Sequence, residues 1–336
     1  MNFKDRVSAF DELGVILSNS VSNLEFRKIL KRARLNNYWF TRSNVMYAVQ
    51  SLSKWLNQAT MSSFISHYDL TDRNKKIGVI IPSNIPFIGF HDFLCVLLSG
   101  NIFIGQLSSH NNVLLPYIAN LLFVINKDFK NLIFFSNTIK NVDMIIATGG
   151  DNSALYFDYH YLGVPKIIRK NRNSIAIISG FEHPKDYLNL ALDVYMYFGL
   201  GCRSVAKLFL PRGFNIEILR PYFKQIGQSF YQTDYLQNYN YQKSIFTLNS
   251  VMFFDFHNLL LVESNQINSS LSVLYYEYYD NTQEVKDKIH TNQAKIQCVL
   301  SNDVSFETAL YFGSSQQPKI DDFPDGLDVI GCINSI

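Results

Sequence analysis

Between Ile77 and Ile178 the chain repeats one pattern: a short run of β-branched and aliphatic residues, a break at Gly, Pro or Asn, then a longer segment with helical spacing of apolar residues. The runs are Ile77-Gly78-Val79-Ile80-Ile81 closed by Pro82, Ile102-Phe103-Ile104-Gly105, Leu132-Ile133-Phe134-Phe135, Met144-Ile145-Ile146-Ala147 and Lys166-Ile167-Ile168-Arg169. Helices are predicted at about 87–98, 114–122 and 152–161. Strands that alternate with helices pair in parallel through helical crossovers. The pattern resumes at Ser174-Ile175-Ala176-Ile177-Ile178, with a helix predicted over 188–198 and strands at 207–210, 259–262, 272–276 and 296–300.

A chain of 336 residues exceeds one minimal core, and at roughly 150 residues per domain it is expected to form two. The boundary falls near residue 174, giving domains 1–173 and 174–336, the C-terminal segment of the second being free to pack back on the first. From Phe3 to about Ala59 the apolar spacing is helical, as in Val45, Val49, Leu52 and Leu56, which predicts a helical N-terminal layer. The charged turn Thr71-Asp72-Arg73-Asn74-Lys75-Lys76 separates that layer from the first strand. The expected fold class is α/β, with two α/β domains and mostly parallel sheets. No fixed-period repeat suggests a solenoid.

Charge and cysteine usage exclude several function classes. The formal charge of +2 comes from 30 basic and 28 acidic residues spread along the chain, so there is no basic field for nucleic acid. Cys95, Cys202, Cys298 and Cys332 are far apart in sequence, without a Cys-x-x-Cys pair, which argues against a metal site or a disulfide framework. The N-terminal Met1-Asn2-Phe3-Lys4-Asp5-Arg6 does not read as a signal peptide, and a cytoplasmic location is expected. Phe93 to Asn126 contains no Asp, Glu, Lys or Arg. Ser99-Gly100-Asn101, Gln106, the polar stretch 108–112 and Pro116 cut it into pieces too short for a transmembrane segment.

Few residues are placed for chemistry. Gly199-Leu200-Gly201-Cys202 is a turn between a predicted helix and a strand, where glycine permits strained backbone and close approach. Arg203 and Lys207 follow, so a thiolate at Cys202 would gain positive charge, and a helix N-terminus too if Cys202 opens a short helix. An inert core thiol fits the turn alone equally well. Pro82-Ser83-Asn84-Ile85-Pro86 is a rigid strand-end loop in which the Asn84 amide can donate to an oxyanion, although Asn beside Pro is common turn chemistry. Ala147-Thr148-Gly149-Gly150 runs into a helix and offers a phosphate seat, without being a G-x-G-x-x-G fingerprint. His91 is a candidate proton donor or a histidine of helix packing. Glu263 ends a strand, as a ribose ligand or a surface carboxylate. The cluster Tyr275-Tyr276-Glu277-Tyr278-Tyr279 reads as a stacking wall or as a strand with aromatics on both faces.

Taken in chain order, these segments resemble the aldehyde dehydrogenase superfamily, and most closely its fatty acyl-CoA reductase branch, the LuxC family. Pro82-Ser83-Asn84-Ile85-Pro86 is similar to the superfamily's oxyanion asparagine loop, Gly105-Gln106-Leu107-Ser108 to its cofactor strand end, Ala147-Thr148-Gly149 to its phosphate-side glycine turn, and Gly199-Leu200-Gly201-Cys202 to its nucleophile turn. The LuxC likeness extends over nearly the whole chain, in Gly89-Phe90-His91-Asp92-Phe93, Ile168-Arg169-Lys170-Asn171-Arg172-Asn173-Ser174, Tyr197-Phe198-Gly199-Leu200-Gly201-Cys202-Arg203, Gln316-Gln317-Pro318 and Asp325-Gly326-Leu327-Asp328.

The resemblance implies that Cys202 is the nucleophile and Asn84 the oxyanion donor. It also implies that Ser83, Gln106, Ser108, Thr148, Gly149 and Glu263 bind cofactor, and that residues 1–173 form the cofactor domain and 174–336 the catalytic domain. Two positions depart from the wider superfamily. Aldehyde oxidisers carry Glu-Leu-Gly-Gly where this chain has Ile168-Arg169-Lys170-Asn171, so the glutamate that activates water is missing and a thiol carrier such as coenzyme A is favoured. Gln106 replaces a ribose-binding lysine. The expected activity is NADPH-dependent reduction of acyl-CoA to an aldehyde, with NADH as the alternative cofactor and acyl transfer through Cys202 without hydride as the alternative reaction. An acyl-activating enzyme is the implied partner.

Overall fold

The computed structural model describes residues 1–20, 23–69 and 73–336. They divide into two compact units, residues 1–170 together with 319–336, and residues 171–318. The N-terminal layer is four helices, α1 (Phe3–Ser18), α2 (Leu24–Asn36), α3 (Arg42–Trp55) and α4 (Gln58–Ile65). Each is opened by a polar side chain that accepts from a first-turn amide: Asn2 from Asp5 at 2.9 Å, Asn23 from Glu25 at 2.8 Å, Thr41 from Asn44 at 3.2 Å and Asn57 from Thr60 at 2.9 Å. Such a cap contributes about 1 kcal/mol, so four in series fix where each helix begins. Phe10, Leu13, Leu17, Phe26, Val45, Val49 and Met61 are buried, so the helical spacing read from the sequence is the inward face of this layer.

The charged turn expected from Thr71 begins outside the described residues, and its described end leads into β1 (Lys76–Ile81). The chain continues through α5 (Phe90–Leu98), β2 (Ile102–Leu107), α6 (Leu114–Ile125), β3 (Ile133–Phe135), β4 (Met144–Thr148), α7 (Asp151–His160) and β5 (Lys166–Arg169). All four pairings in this sheet are parallel, in the order β3-β2-β1-β4-β5. From β1 the chain builds outward through β2 to β3, then returns to the other side of β1 with β4. The connections that leave the carboxyl ends of β1 and β4 therefore lead to opposite sides of the pair, the switch point at which an open parallel sheet leaves a crevice. The uncharged stretch 93–126 forms α5, β2 and α6, and every residue of α5 is buried. Among the described residues no helix is long and apolar enough to cross a membrane.

The second unit contains β6 (Asn173–Ile177), α8 (Pro184–Tyr195), β7 (Val205–Pro211), α9 (Arg220–Gly227), α10 (Thr233–Leu248), β8 (Phe253–Asp255), β9 (Leu260–Glu263), β10 (Val273–Tyr279), α11 (Thr282–Thr291) and β11 (Ile296–Ser301). Its sheet runs β11-β6-β7-β10-β9-β8, parallel throughout except for the antiparallel edge pair β8 and β9. Ile175, Ile177, Phe209, Ile267, Tyr279, Val285 and Ile296 form one apolar cluster of this unit. Along β10, Tyr276 and Tyr279 are buried while Tyr275 and Tyr278 are half-buried, so the tyrosine cluster is a strand with aromatics on both faces. The final helix, α12 (Val329–Asn334), belongs to the first unit. Its cap Asp328 accepts the Tyr68 hydroxyl at 3.0 Å, which ties the C-terminal segment to the N-terminal layer.

Two helices start well away from where the sequence expectation placed them, for local reasons. The helix expected over 87–98 begins only at Phe90, because Phe87 and Gly89 take left-handed φ of 57° and 83°. The helix expected over 188–198 occupies Pro184–Tyr195, started by Pro184 in its first turn and by a His183 N–H that donates to Asp186 at 2.9 Å.

Candidate active site

After α8 the backbone turns sharply. Tyr197, Phe198 and Gly199 have φ of 53°, 59° and 76°, three left-handed residues in a row. Non-glycine residues there cost about 1–3 kcal/mol each and persist only where packing holds them. Both aromatic side chains are buried, and the Phe198 ring lies 5.7 Å from Phe230 and 5.8 Å from Tyr235, centroid to centroid. The Ser204 N–H then donates to the Gly201 carbonyl at 3.0 Å, which places Cys202 and Arg203 at the two central positions of a tight turn. Cys202 is consequently exposed, whereas Cys95 is buried and Cys298 and Cys332 are half-buried. An inert core thiol is thereby excluded at Cys202.

Two buried groups hold this turn from behind. Ser174 Oγ donates to the Cys202 carbonyl at 3.0 Å. Asp193 on α8 accepts from the Ser315 hydroxyl at 2.6 Å and from the Ser315 N–H at 3.1 Å, and also from the Gly313 N–H. The same 313–316 segment reaches the turn twice: Arg203 Nε donates to the Ser315 carbonyl, and Gln316 Nε2 donates to Ser204 Oγ at 3.1 Å. Burial pushes the Asp193 carboxyl up to about 6, against the opposing pull of its Ser315 and Gly313 donors and of Arg203. Asp193 carries no sequence signal, and Ser174, though it ends a phrase of the family likeness, gains no role from it, since each joins segments far apart in the chain. Gln316 lies in a phrase of the family likeness that by itself suggested no role.

Two sequence expectations in this unit are corrected, and the place of a third residue, Glu263, is fixed. Cys202 opens no helix, because residues 202–204 pass directly into β7, so no helix dipole acts on the thiol. Lys207 does not serve it either. Its ammonium is buried and donates to Glu277 at 2.7 Å and to the Ser264 carbonyl, and burial holds it below the ordinary lysine value despite Glu277. Glu263 is exposed at the carboxyl end of β9, level with Tyr276 of β10, whereas Cys202 precedes the amino end of β7.

In the first unit the structure brings Ser83, Gln106, Ser108, Thr148 and Gly149 to the carboxyl edge of one parallel sheet. Ser83 and Asn84 follow β1, Gln106 and Ser108 sit at the end of β2, and Thr148 and Gly149 lie where β4 ends, beside the start of α7. The loop after β1 is clamped by two amides, Asn111 Nδ2 donating to the Pro82 carbonyl and Asn37 Nδ2 to the Ser83 carbonyl, each at 2.7 Å. The Ser108 hydroxyl donates to Ser83 Oγ at 3.3 Å. A side chain at Gly149 would bring its Cβ to 2.8 Å from Ser153 Cβ, so only glycine lets the chain pass this close to α7. No side chain caps the first-turn amides of α7, and Asp151 in that turn opposes an anion. These residues fit the phosphate-bearing end of a dinucleotide.

Two neighbouring groups serve packing. The Arg169 guanidinium, in the segment where a water-activating glutamate was sought, is buried and held by both Asp92 oxygens at 2.6 and 2.7 Å. His91 is buried with Nε2 2.8 Å from the Ile320 carbonyl and its ring edge-on to Phe323 and Trp55, and burial lowers its pKa. It binds the C-terminal segment to α5. Among the described residues no cluster of His, Cys, Asp or Glu is arranged to hold a metal ion.

No protein-family model and no curated protein sequence matches the chain. Solved structures do. Aldehyde dehydrogenase 21 of Physcomitrella patens, in complex with succinate, superposes with a TM-score of 0.69 at 12% identity, over 97% of this chain and 82% of that one. An NAD-dependent aldehyde dehydrogenase of Sinorhizobium meliloti gives 0.66 at 12% identity over 93% and 74%. The NAD+ complex of a Bacillus cereus aldehyde dehydrogenase gives 0.64 at 11% identity over 91% and 73%. The chain has the aldehyde dehydrogenase fold.

Proposed function

We propose that this protein reduces acyl-CoA thioesters to aldehydes with NADPH, through an acyl-cysteine at Cys202. The observation that carries the reading is the exposure of Cys202 on the tight turn 201–204, which follows three consecutive left-handed residues and is held by Ser174. Backbone strain maintained by packing next to an exposed cysteine supports its assignment as a nucleophile held in place.

In this reading the Cys202 thiolate attacks the thioester carbonyl, the carbon–sulfur bond to coenzyme A breaks, and the departing thiolate takes a proton from solvent. Asn84 is assigned as an amide donor to the oxyanion, with the Cys202 N–H as the second donor. Bound at the switch point of the first sheet, a nicotinamide would supply hydride to the acyl group. Ser83, Ser108, Thr148 and Gly149 would hold its phosphates and ribose, and Gln106, standing where a lysine binds ribose in related dehydrogenases, would contribute to the choice between NADPH and NADH. Glu263 is assigned a ribose contact. Segment 168–171 favours reduction over hydrolysis, because it contains no carboxylate to serve as a base for water and its Arg169 is sequestered by Asp92.

The test is loss of NADPH absorbance on addition of acyl-CoA across a range of chain lengths, with aldehyde measured as product. The reading expects consumption that requires Cys202. If no acyl-CoA consumes NADPH or NADH while label from acyl-CoA still accumulates on Cys202, the reductase reading fails and acyl transfer takes its place.

A further inference from the structure

The hydroxyl that supports Cys202 also touches a second thiol. Ser174 Oγ, which donates to the Cys202 carbonyl at 3.0 Å, lies 2.9 Å from Cys298 Sγ. Ser174 is fully buried in β6, with Val205 of β7 opposite it on one side and the irregular stretch of β11 between Ile296 and Val299 on the other. A serine hydroxyl has one proton. Since that proton goes to the Cys202 carbonyl, the serine oxygen faces Cys298 as acceptor and the Cys298 thiol is the donor. Two linked hydrogen bonds place Cys298 Sγ within about 6 Å of the Cys202 carbonyl oxygen. Bridged cysteines have Cα atoms about 4.4–6.8 Å apart, so the turn that carries Cys202 must shift toward Cys298 when the bridge forms. Cys202 and Cys298 are also the only cysteines between residues 171 and 318, the other two belonging to the first unit.

We propose that Cys298 is a resolving thiol for Cys202, forming a reversible disulfide under peroxide. Hydrogen peroxide oxidises the Cys202 thiol to a sulfenic acid as its O–O bond breaks, and one water is released. The Cys298 sulfur then attacks the Cys202 sulfur, the S–O bond breaks, and the hydroxyl leaves with the Cys298 proton as a second water. A dithiol reductant returns both thiols. Without a resolving partner, a sulfenic acid on an exposed cysteine proceeds to sulfinic acid, which such a reductant does not reverse. The chemistry needs only the two sulfurs and peroxide, so it stands apart from the reductase reading.

The experiment treats the full chain with a small excess of hydrogen peroxide, alkylates with iodoacetamide, and maps cysteine peptides by mass spectrometry before and after dithiothreitol. The wild type is expected to give a peptide linking Cys202 to Cys298, with alkylation of both cysteines lost and then restored by dithiothreitol. In Cys298→Ser, which keeps an oxygen beside Ser174, Cys202 is expected to reach sulfinic acid, and dithiothreitol should restore little alkylation. Cys298→Ala, confirmed as folded by its melting curve, should behave alike. Oxidation of wild-type Cys202 without the linked peptide, or equal recovery in wild type and both variants, overturns the proposal. The readout lies at the sulfur atoms, so a protein that oxidises no NADPH leaves it unaffected.

Discussion

Replacing Asp193 with asparagine tests whether burial or hydrogen bonding governs the carboxylate behind the Cys202 turn. Burial raises this carboxyl from 3.8 to about 6 even though Ser315 and Gly313 donate to it. The folded state therefore holds the proton more tightly than the unfolded chain. Stability from Asp193 is fully present below pH 4, declines as pH rises from about 4 to about 6, and is constant above. A shift of about two units corresponds to about 3 kcal/mol across that window. The amide introduced by Asp193→Asn has no proton to lose but turns an N–H toward a backbone donor of Gly313 or Ser315, costing about 1–3 kcal/mol. At pH 7 this cost and the relief of a buried charge oppose each other, so the variant should lie within about 2 kcal/mol of wild type. At pH 4.5 wild type should gain on the variant by about 2 kcal/mol more. Urea unfolding of both proteins at half-unit steps from pH 4.5 to 7.5 reads the difference directly. A difference that is flat across the range, or that grows in favour of wild type as pH rises, would show that Gly313, Ser315 and Arg203 stabilise the anion at least as much as burial penalises it.

Other outcomes follow from single contacts. Asp92→Ala leaves the Arg169 guanidinium buried without its partner and should cost about 3–5 kcal/mol, while Asp92→Leu combined with Arg169→Met should cost clearly less, both read by denaturant unfolding. Gly149→Ala drives a Cβ against Ser153 Cβ, so it should lower the melting point of the apoprotein and weaken NADPH binding at least tenfold by calorimetry, about 1.4 kcal/mol. NADPH at about a hundred times its dissociation constant should stabilise the wild type by about 2.7 kcal/mol, and no thermal shift with either nicotinamide cofactor would contradict the assignment of the β1/β4 crevice.

Much of the first sheet was legible because its strands are short β-branched runs closed by Pro, Gly or Asn, as at Ile77–Pro82 and Met144–Gly149, and buried parallel strands have little freedom to read otherwise. Residues 212–258 were not. The helices α9 and α10 and the antiparallel strand β8 lie there, in sequence rich in tyrosine, asparagine and glutamine with weak periodicity, so tertiary packing decided their form. The site divides in the same way. Cys202 and the glycine turns announce themselves locally, whereas Ser174, Asp193 and Ser315 act through pairings across about 30 to 120 positions of sequence that no local pattern encodes. Lys207 misled for the same reason: its nearness in sequence to Cys202 says nothing of Glu277, its actual partner.

In the proposed reaction Cys202 carries the acyl group. Intact-mass spectrometry of the protein mixed with acyl-CoA, without nicotinamide cofactor, measures this most directly. The account predicts a mass increase of one acyl group on the wild type, located at Cys202 by peptide mapping, absent from Cys202→Ala, and discharged on addition of NADPH with release of aldehyde. Acylation of Cys202→Ala to the same extent, or a wild-type protein that gains no acyl group from any chain length, would contradict it.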